Sequence, residues 1–137
     1  MKLLNLELKN YRNCKKILLN FDNDKILIIG KNAQGKTNIL ESIYYLSSLK
    51  SPRTSNNIEL INFDENKTEI VANVTKSDTD INILYSYTKE KSRELKINGV
   101  KTTPKNFKNV LKTVLFSASD LLLLRGEPSD RRNWLDR

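Results

Sequence analysis

The residues Gly30-Lys31-Asn32-Ala33-Gln34-Gly35-Lys36-Thr37 satisfy the spacing G-x-x-x-x-G-K-[ST], and each specified position answers a need of phosphate chemistry. Glycine at both ends lets the backbone take conformations that a Cβ would obstruct, so successive amide N–H groups can wrap around phosphate oxygens. Lys36 supplies a point charge for β- and γ-phosphates, and the Thr37 hydroxyl is placed to ligate magnesium. A helix starting here would add free N–H donors and the positive end of its dipole. The expectation is a nucleotide site built from Gly30 to Thr37, with Mg2+ following from the nucleotide.

Such a loop must sit between a strand and a helix, and the flanking residues supply both signals. Ile26-Leu27-Ile28-Ile29 is short, apolar and β-branched, which predicts a strand covered on both faces and ending at Gly30. After Thr37, Ile39, Leu40, Ile43 and Leu46 recur at helical spacing, with no breaker before the region from Ser47 to Pro52. Upstream, Leu4 to Leu8 alternates with Asn5 and Glu7 as a half-buried strand does, and Ile17 to Phe21 returns as its partner. Downstream, Thr68–Thr75 and Ile81–Thr88 alternate, and Arg93–Ile97 enters a tight turn at Asn98-Gly99. Pro104 opens a short helix reaching about Leu111, Thr113–Phe116 reads as a buried strand, and helical segments are expected over Asp120–Arg125 and from about Pro128. The fold class is α/β.

The 137 residues suit one compact domain or part of a larger one. No apolar stretch approaches the roughly 20 residues that cross a bilayer. The lone Cys14 cannot form an internal disulfide, and residues 1–20 lack a signal-peptide layout, so a cytoplasmic protein without membrane contact is expected. The net charge of +8 favours an anionic partner and is concentrated in two places. Lys89 to Lys112 carries a local +6, and residues 1–16 a local +4. Aromatic residues do not alternate with these lysines, so phosphate attraction rather than base stacking is the nucleic-acid chemistry on offer.

Beyond the phosphate loop, Gly30-Lys31-Asn32 with Gly35-Lys36-Thr37-Asn38-Ile39-Leu40-Glu41-Ser42-Ile43 resembles the G-x-N-x-x-G-K-[ST]-N-x-x-E-x-I pattern of the RecF, Rad50 and SMC group. The opening Leu4-x-Leu6-x-Leu8-x-Asn10-Tyr11-Arg12-Asn13 is similar to the first strand and turn of that group. Gly126-Glu127-Pro128-Ser129-Asp130-Arg131-Arg132-Asn133-Trp134-Leu135-Asp136 resembles the RecF signature, with Glu127 and Trp134 as departures. Lys50-Ser51-Pro52-Arg53-Thr54 is similar to a basic Arg-Thr segment of the same family.

This resemblance implies that residues 1–137 are the N-terminal portion of an ABC-type P-loop ATPase head with a mixed β-sheet, whose Walker B and signature segments lie later. It implies ATP as the nucleotide, with Arg12 and Asn13 near it. It further implies binding of single-stranded or gapped duplex DNA, an ATP-dependent homodimer of the full-length protein, and RecR- and RecO-like recombination mediators as partners. Arg131 and Arg132 join the Lys89–Lys112 segment as candidate phosphate contacts. Two other readings stay open. A GTPase or small-molecule kinase also uses a phosphate loop, although Asn66-Lys67-Thr68-Glu69 lacks the Asp that closes a guanine-specificity motif. A nucleotide-bound recruitment module would need no DNA contact.

Overall fold

The computed structural model describes residues 1–117 and 120. Its elements are β1 (Lys2–Tyr11), β2 (Cys14–Asn20), α1 (Lys36–Ser48), a 3-10 turn (Asn57–Leu60), β3 (Lys67–Lys76), β4 (Thr79–Thr88), β5 (Arg93–Ile97), β6 (Val100–Lys101) and α2 (Pro104–Lys108). The strands form one antiparallel sheet in the order β2-β1-β3-β4-β5-β6.

Side-chain alternation sets the register. Leu8 pairs with Ile70, Ile70 with Tyr85 and Tyr85 with Leu95, while Leu6, Ala72, Ile83 and Ile97 make a parallel row. Except for the half-buried Ile97, these residues are buried, and a one-residue slip would turn the whole set outward. The opposite face carries a polar ladder, with Asn82 donating to Asn73 (2.7 Å) and Asn73 to Asn5 (3.0 Å). Asn98 and Gly99 both have positive φ, as the tight β5–β6 turn demands.

Helix α1 joins the buried cluster through Ile39, Tyr45 and Leu46. Tyr45 meets Tyr85 edge-on, with centroids 4.8 Å apart and hydroxyls hydrogen-bonded at 3.0 Å. The helix reaches Ser48, as its periodicity predicts, but its buried face is turned toward Asn38, Glu41 and Ser42, and Leu40 is 49% exposed.

Two predicted strands are corrected. Ile26–Ile29 forms no strand and pairs with none of the described residues, and Leu27 and Ile29 are 84% and 79% exposed. Thr113–Phe116 is likewise outside the sheet, with Val114 and Phe116 exposed, and is tethered to α1 by a contact between the Thr113 and Ser47 hydroxyls. A strand needs a neighbouring backbone as well as apolar side chains, and no described residue offers one to either run. Helix α2 stops at Lys108, short of the expected Leu111. The helical expectations from residue 121 onward, the signature over Gly126–Asp136, and Arg131 and Arg132 lie outside the described residues. Among the described residues, no helix is long and apolar enough to cross a membrane.

Candidate functional site: the phosphate loop and its polar ring

The loop from Gly30 to Gly35 turns directly into α1. Gly35 caps the helix at φ 89 with no side-chain cap, and the first turn holds no acidic residue. The first N–H groups and the positive dipole end are thus left for an anion. Only glycine fits at this position. A Cβ on Gly35 would stand 3.0 Å from the Cys14 sulfur and 3.3 Å from Asn13 Oδ1, in a backbone region that side chains disfavour. Lys36 reaches back across the loop and donates to the carbonyls of Gly30 and Lys31, both at 2.6 Å.

A cavity of about 430 Å³ opens over this turn. Asn32, Ala33, Gln34, Gly35, Lys36 and Thr37 line it, joined by Arg12 and Asn13 from the β1–β2 turn. Gly30 and Lys31 are not among the lining residues, and their carbonyls hold Lys36 instead. The structure therefore gathers Arg12 and Asn13 with the phosphate loop, although they lie far away in sequence. Two lining residues, Asn38 and Arg53, were not among the sequence-based candidates.

The β1–β2 turn is held from below. Arg12 has φ 50, unusual outside glycine, and its N–H bonds to Leu60 O at 2.8 Å while Asn62 Nδ2 bonds to its carbonyl at 2.6 Å. Its guanidinium then forks onto Glu41, Nε to Oε2 at 2.5 Å and Nη2 to Oε1 at 2.6 Å. The Glu41 side chain is 1% exposed, and Ser51 Oγ also donates to Oε1. Arg53 Nη1 makes a long contact to Oε2 at 3.5 Å and a good bond to Asn38 Oδ1 at 2.8 Å. Asn38 Nδ2 donates to Asn13 Oδ1 at 2.6 Å, and Asn13 Nδ2 donates to Ala33 O in the phosphate loop at 3.0 Å.

Electrostatically, the cavity is an anion trap, lined by cations and without an acid in its wall. Lys36, Arg12 and Arg53 line it, and the nearest carboxylate, Glu41, is consumed mainly by Arg12. Burial pushes the Glu41 carboxyl upward, but hydrogen bonds from Arg12 and Ser51 and the charges of Arg12 and Arg53 outweigh it, so its pKa falls below the ordinary value. For Arg12, burial disfavours the charge, yet the bond to Glu41 and its charge win and raise the pKa. Burial raises the Cys14 thiol, despite a hydrogen bond from Asn38 that acts the other way.

Thr37 lines the same cavity, where its hydroxyl could supply a magnesium ion with one protein oxygen, the rest of the shell coming from phosphate and water oxygens. That donor set fits magnesium, which retains waters readily; no cluster of three acidic, His or Cys ligands exists among the described residues. A second cavity of about 870 Å³ shares Arg12 and Asn13 and continues past Phe63, which is 92% exposed.

The basic segment is less free than its charge suggests. Lys96 and Lys101 both face Glu94, at 3.2 and 3.7 Å, and Lys89 donates to Phe63 O. Lys105 and Lys108 are exposed on α2 and form no ion pair within the described residues.

The lowered Glu41 pKa has a signed consequence. A carboxylate whose folded pKa lies below its unfolded value of about 4.5 stabilises the fold above that pH, and this is lost as pH falls through the folded value. Urea midpoints measured from about pH 7 to about pH 3 should decline on the acid side, with a smaller decline in Glu41→Gln. Equal slopes in both proteins would remove Glu41 from the acid response.

The chain matches known proteins over nearly its whole length. The AAA ATPase domain model matches residues 1–123. The chain is 39% identical to the DNA replication and repair protein RecF of Natranaerobius thermophilus, covering 100% of this chain and 36% of the relative. It is 42% identical to RecF of Bacillus velezensis, covering 99% and 37%. Thus the chain spans about a third of the length of these curated relatives, 36% and 37%. A structure of the recombination mediator protein RecF with ATP, from the RecFOR pathway, superposes with a TM-score of 0.83 at 36% identity, covering 98% of this chain and 36% of that one. An SMC ATPase structure, 19% identical with a TM-score of 0.80, covers 98% of this chain and 97% of its own and shares the fold. The chain belongs to the AAA ATPase domain family, and over nearly its whole length it is similar to RecF in sequence and in fold.

Proposed function

We propose that this chain binds ATP and magnesium through Gly30 to Thr37 as the nucleotide-binding part of a RecF-type DNA replication and recombinational repair protein. The observation that carries the reading is the uncapped start of α1 opening into an acid-free cavity lined by Lys36, Arg12 and Arg53. Backbone N–H groups would hold phosphate oxygens, Lys36 would exchange its loop carbonyls for the β- and γ-phosphates, and Thr37 would hold the magnesium. Arg12 and Asn13 would border the nucleotide where the first cavity meets the second.

Binding and turnover have different requirements. Hydrolysis also needs an oriented water and charge stabilisation of the transition state, and no carboxylate lines the cavity among the described residues. Asp120 accepts from the N–H and hydroxyl of Ser117, both at 2.7 Å, so it serves a local turn. Turnover in this reading belongs to a longer protein that supplies Walker B and signature segments and dimerises on ATP. The partners of that protein would be single-stranded or gapped DNA and RecR- and RecO-like mediators, in the cytoplasm. The GTPase alternative lacks the Asp that closes a guanine-specificity motif after Asn66-Lys67-Thr68, and the recruitment-module alternative leaves the α2 lysines, which form no ion pair among the described residues, without a role.

Calorimetric titration should show magnesium-dependent ATP binding that exceeds GTP binding and is lost, or nearly so, in Lys36→Ala. Wild-type affinity in Lys36→Ala would refute the assignment. For DNA, Lys105→Glu with Lys108→Glu should weaken binding and reduce the log–log salt slope by about 0.7–0.9 for each phosphate contact removed. Lys101→Glu should have a smaller effect, because Lys101 already faces Glu94. An unchanged slope in the α2 variant would return these lysines to the solvated surface.

A further inference from the structure

We infer that Glu41 is a positioning residue of the phosphate-loop site, anchoring a hydrogen-bond ring that runs through Arg53, Asn38 and Asn13 to the carbonyl of Ala33. The inference rests on the nucleotide-binding reading above and adds a control on it.

The ring closes because its two ends are chain neighbours. From Glu41 it passes to Arg53, to Asn38 and to Asn13, whose preceding residue, Arg12, forks back onto Glu41. The branch to the phosphate loop leaves from Asn13 Nδ2 to Ala33 O. Ala33 itself has φ 64, so the loop is held here in a conformation that costs energy for a side chain with a Cβ.

Each link works in one direction only. A carboxylate can only accept, and a guanidinium can only donate. Arg53 therefore donates to both Glu41 and Asn38 Oδ1, which obliges Asn38 Nδ2 to be the donor toward Asn13. Asn13 Oδ1 is then the acceptor, and its Nδ2 is the group left to hold Ala33. The Ser51 hydroxyl is oriented the same way. It donates to Glu41, so its lone pairs receive the N–H groups of Arg53 and Thr54 at 3.0 and 3.2 Å and fold the loop that presents Arg53. A neutral amide in place of the carboxylate would set a donor against these donors. Arg53 can only donate and keeps the polarity of Asn38 and Asn13, so what an amide would cost is the anchor of Arg12 and Arg53. The loosening would reach the phosphate loop through Asn38 and Asn13, although Glu41 does not line the cavity.

The test has a nucleotide-free arm and a nucleotide-bound arm, both on the 137-residue chain. In the absence of nucleotide, nitrogen-resolved NMR should show a slowly exchanging Arg12 Nε–H in the wild type. In Glu41→Gln that signal should be lost and the side-chain amide resonances of Asn13 should shift. Unmoved Asn13 resonances would overturn the proposal whether or not ATP binds. With Mg-ATP, calorimetry should give about tenfold weaker binding for Glu41→Gln and for Asn13→Ala, and the double variant should be no weaker than the worse single one. Multiplying losses, near a hundredfold in the double variant, would also overturn it, because independent sites add in free energy. Ser51→Ala leaves the ion pair intact and guards against misfolding of Glu41→Gln; it should weaken ATP by less than Glu41→Gln and move the Arg53 amide, and ATP affinity and an Arg53 amide identical to wild type would count against the ring. A wild type that fails to bind ATP would refute the proposed function, and the nucleotide-free arm would still judge Glu41.

Discussion

The arrangement turns on one buried carboxylate held between two guanidiniums. Glu41 sits on α1, Arg12 on the β1–β2 turn and Arg53 on the loop after α1, so a single acidic group ties three segments together. Its contribution lies in position more than in stability. Taking two charges out of water costs several kcal/mol each, and their attraction recovers this only where geometry is good. The geometry here is a fork of two short bonds, so the pair holds, and removing one partner would leave a buried charge at a cost of about 3–5 kcal/mol. An apolar replacement of both could pack as well but could not aim Arg53 or orient Asn38.

That constraint explains why the cavity carries surplus positive charge. Glu41 neutralises Arg12 through the fork, while its contact with the half-exposed Arg53 is a single long one at 3.5 Å. One guanidinium therefore remains electrostatically unspent beside Lys36 and the dipole end of α1. Positive groups held together in this way repel one another unless an anion arrives, and a polyphosphate supplies that anion.

Much of this was legible in the sequence, and the remainder divides by physical cause. Period-two alternation located β1, β3 and β4 because each buries one face, and the phosphate loop was legible because every specified residue type has a chemical reason. Arg12 and Asn13 came from family resemblance, and the fold does bring them to the loop. Ile26–Ile29 misled because apolar runs report burial and pairing together, and the described part of this chain gives that run no partner. Asn38 and Glu41 lie within the motif, but a polar residue on a helix is by default a solvated one, so residue type alone does not mark them as working parts. Their spacing held the signal: Asn38, Glu41, Ser42 and Tyr45 fall on one helical face with the apolar Leu46. The partnership with Ser51 and Arg53 depends on how the chain turns after α1, where Leu49 takes φ 55, and no local pattern announces that turn.

The most direct test of the account is where ATP perturbs the backbone. On adding Mg-ATP to the chain, amide shifts mapped residue by residue should be largest at Gly35, Lys36 and Thr37, with smaller changes at Arg12, Asn13 and Arg53. The polar groove between β4 and β6 near Arg93 and Lys101 should stay unchanged. Shifts concentrated in that groove, with the amides of Gly35 to Thr37 unmoved, would contradict the assignment of the nucleotide to the start of α1.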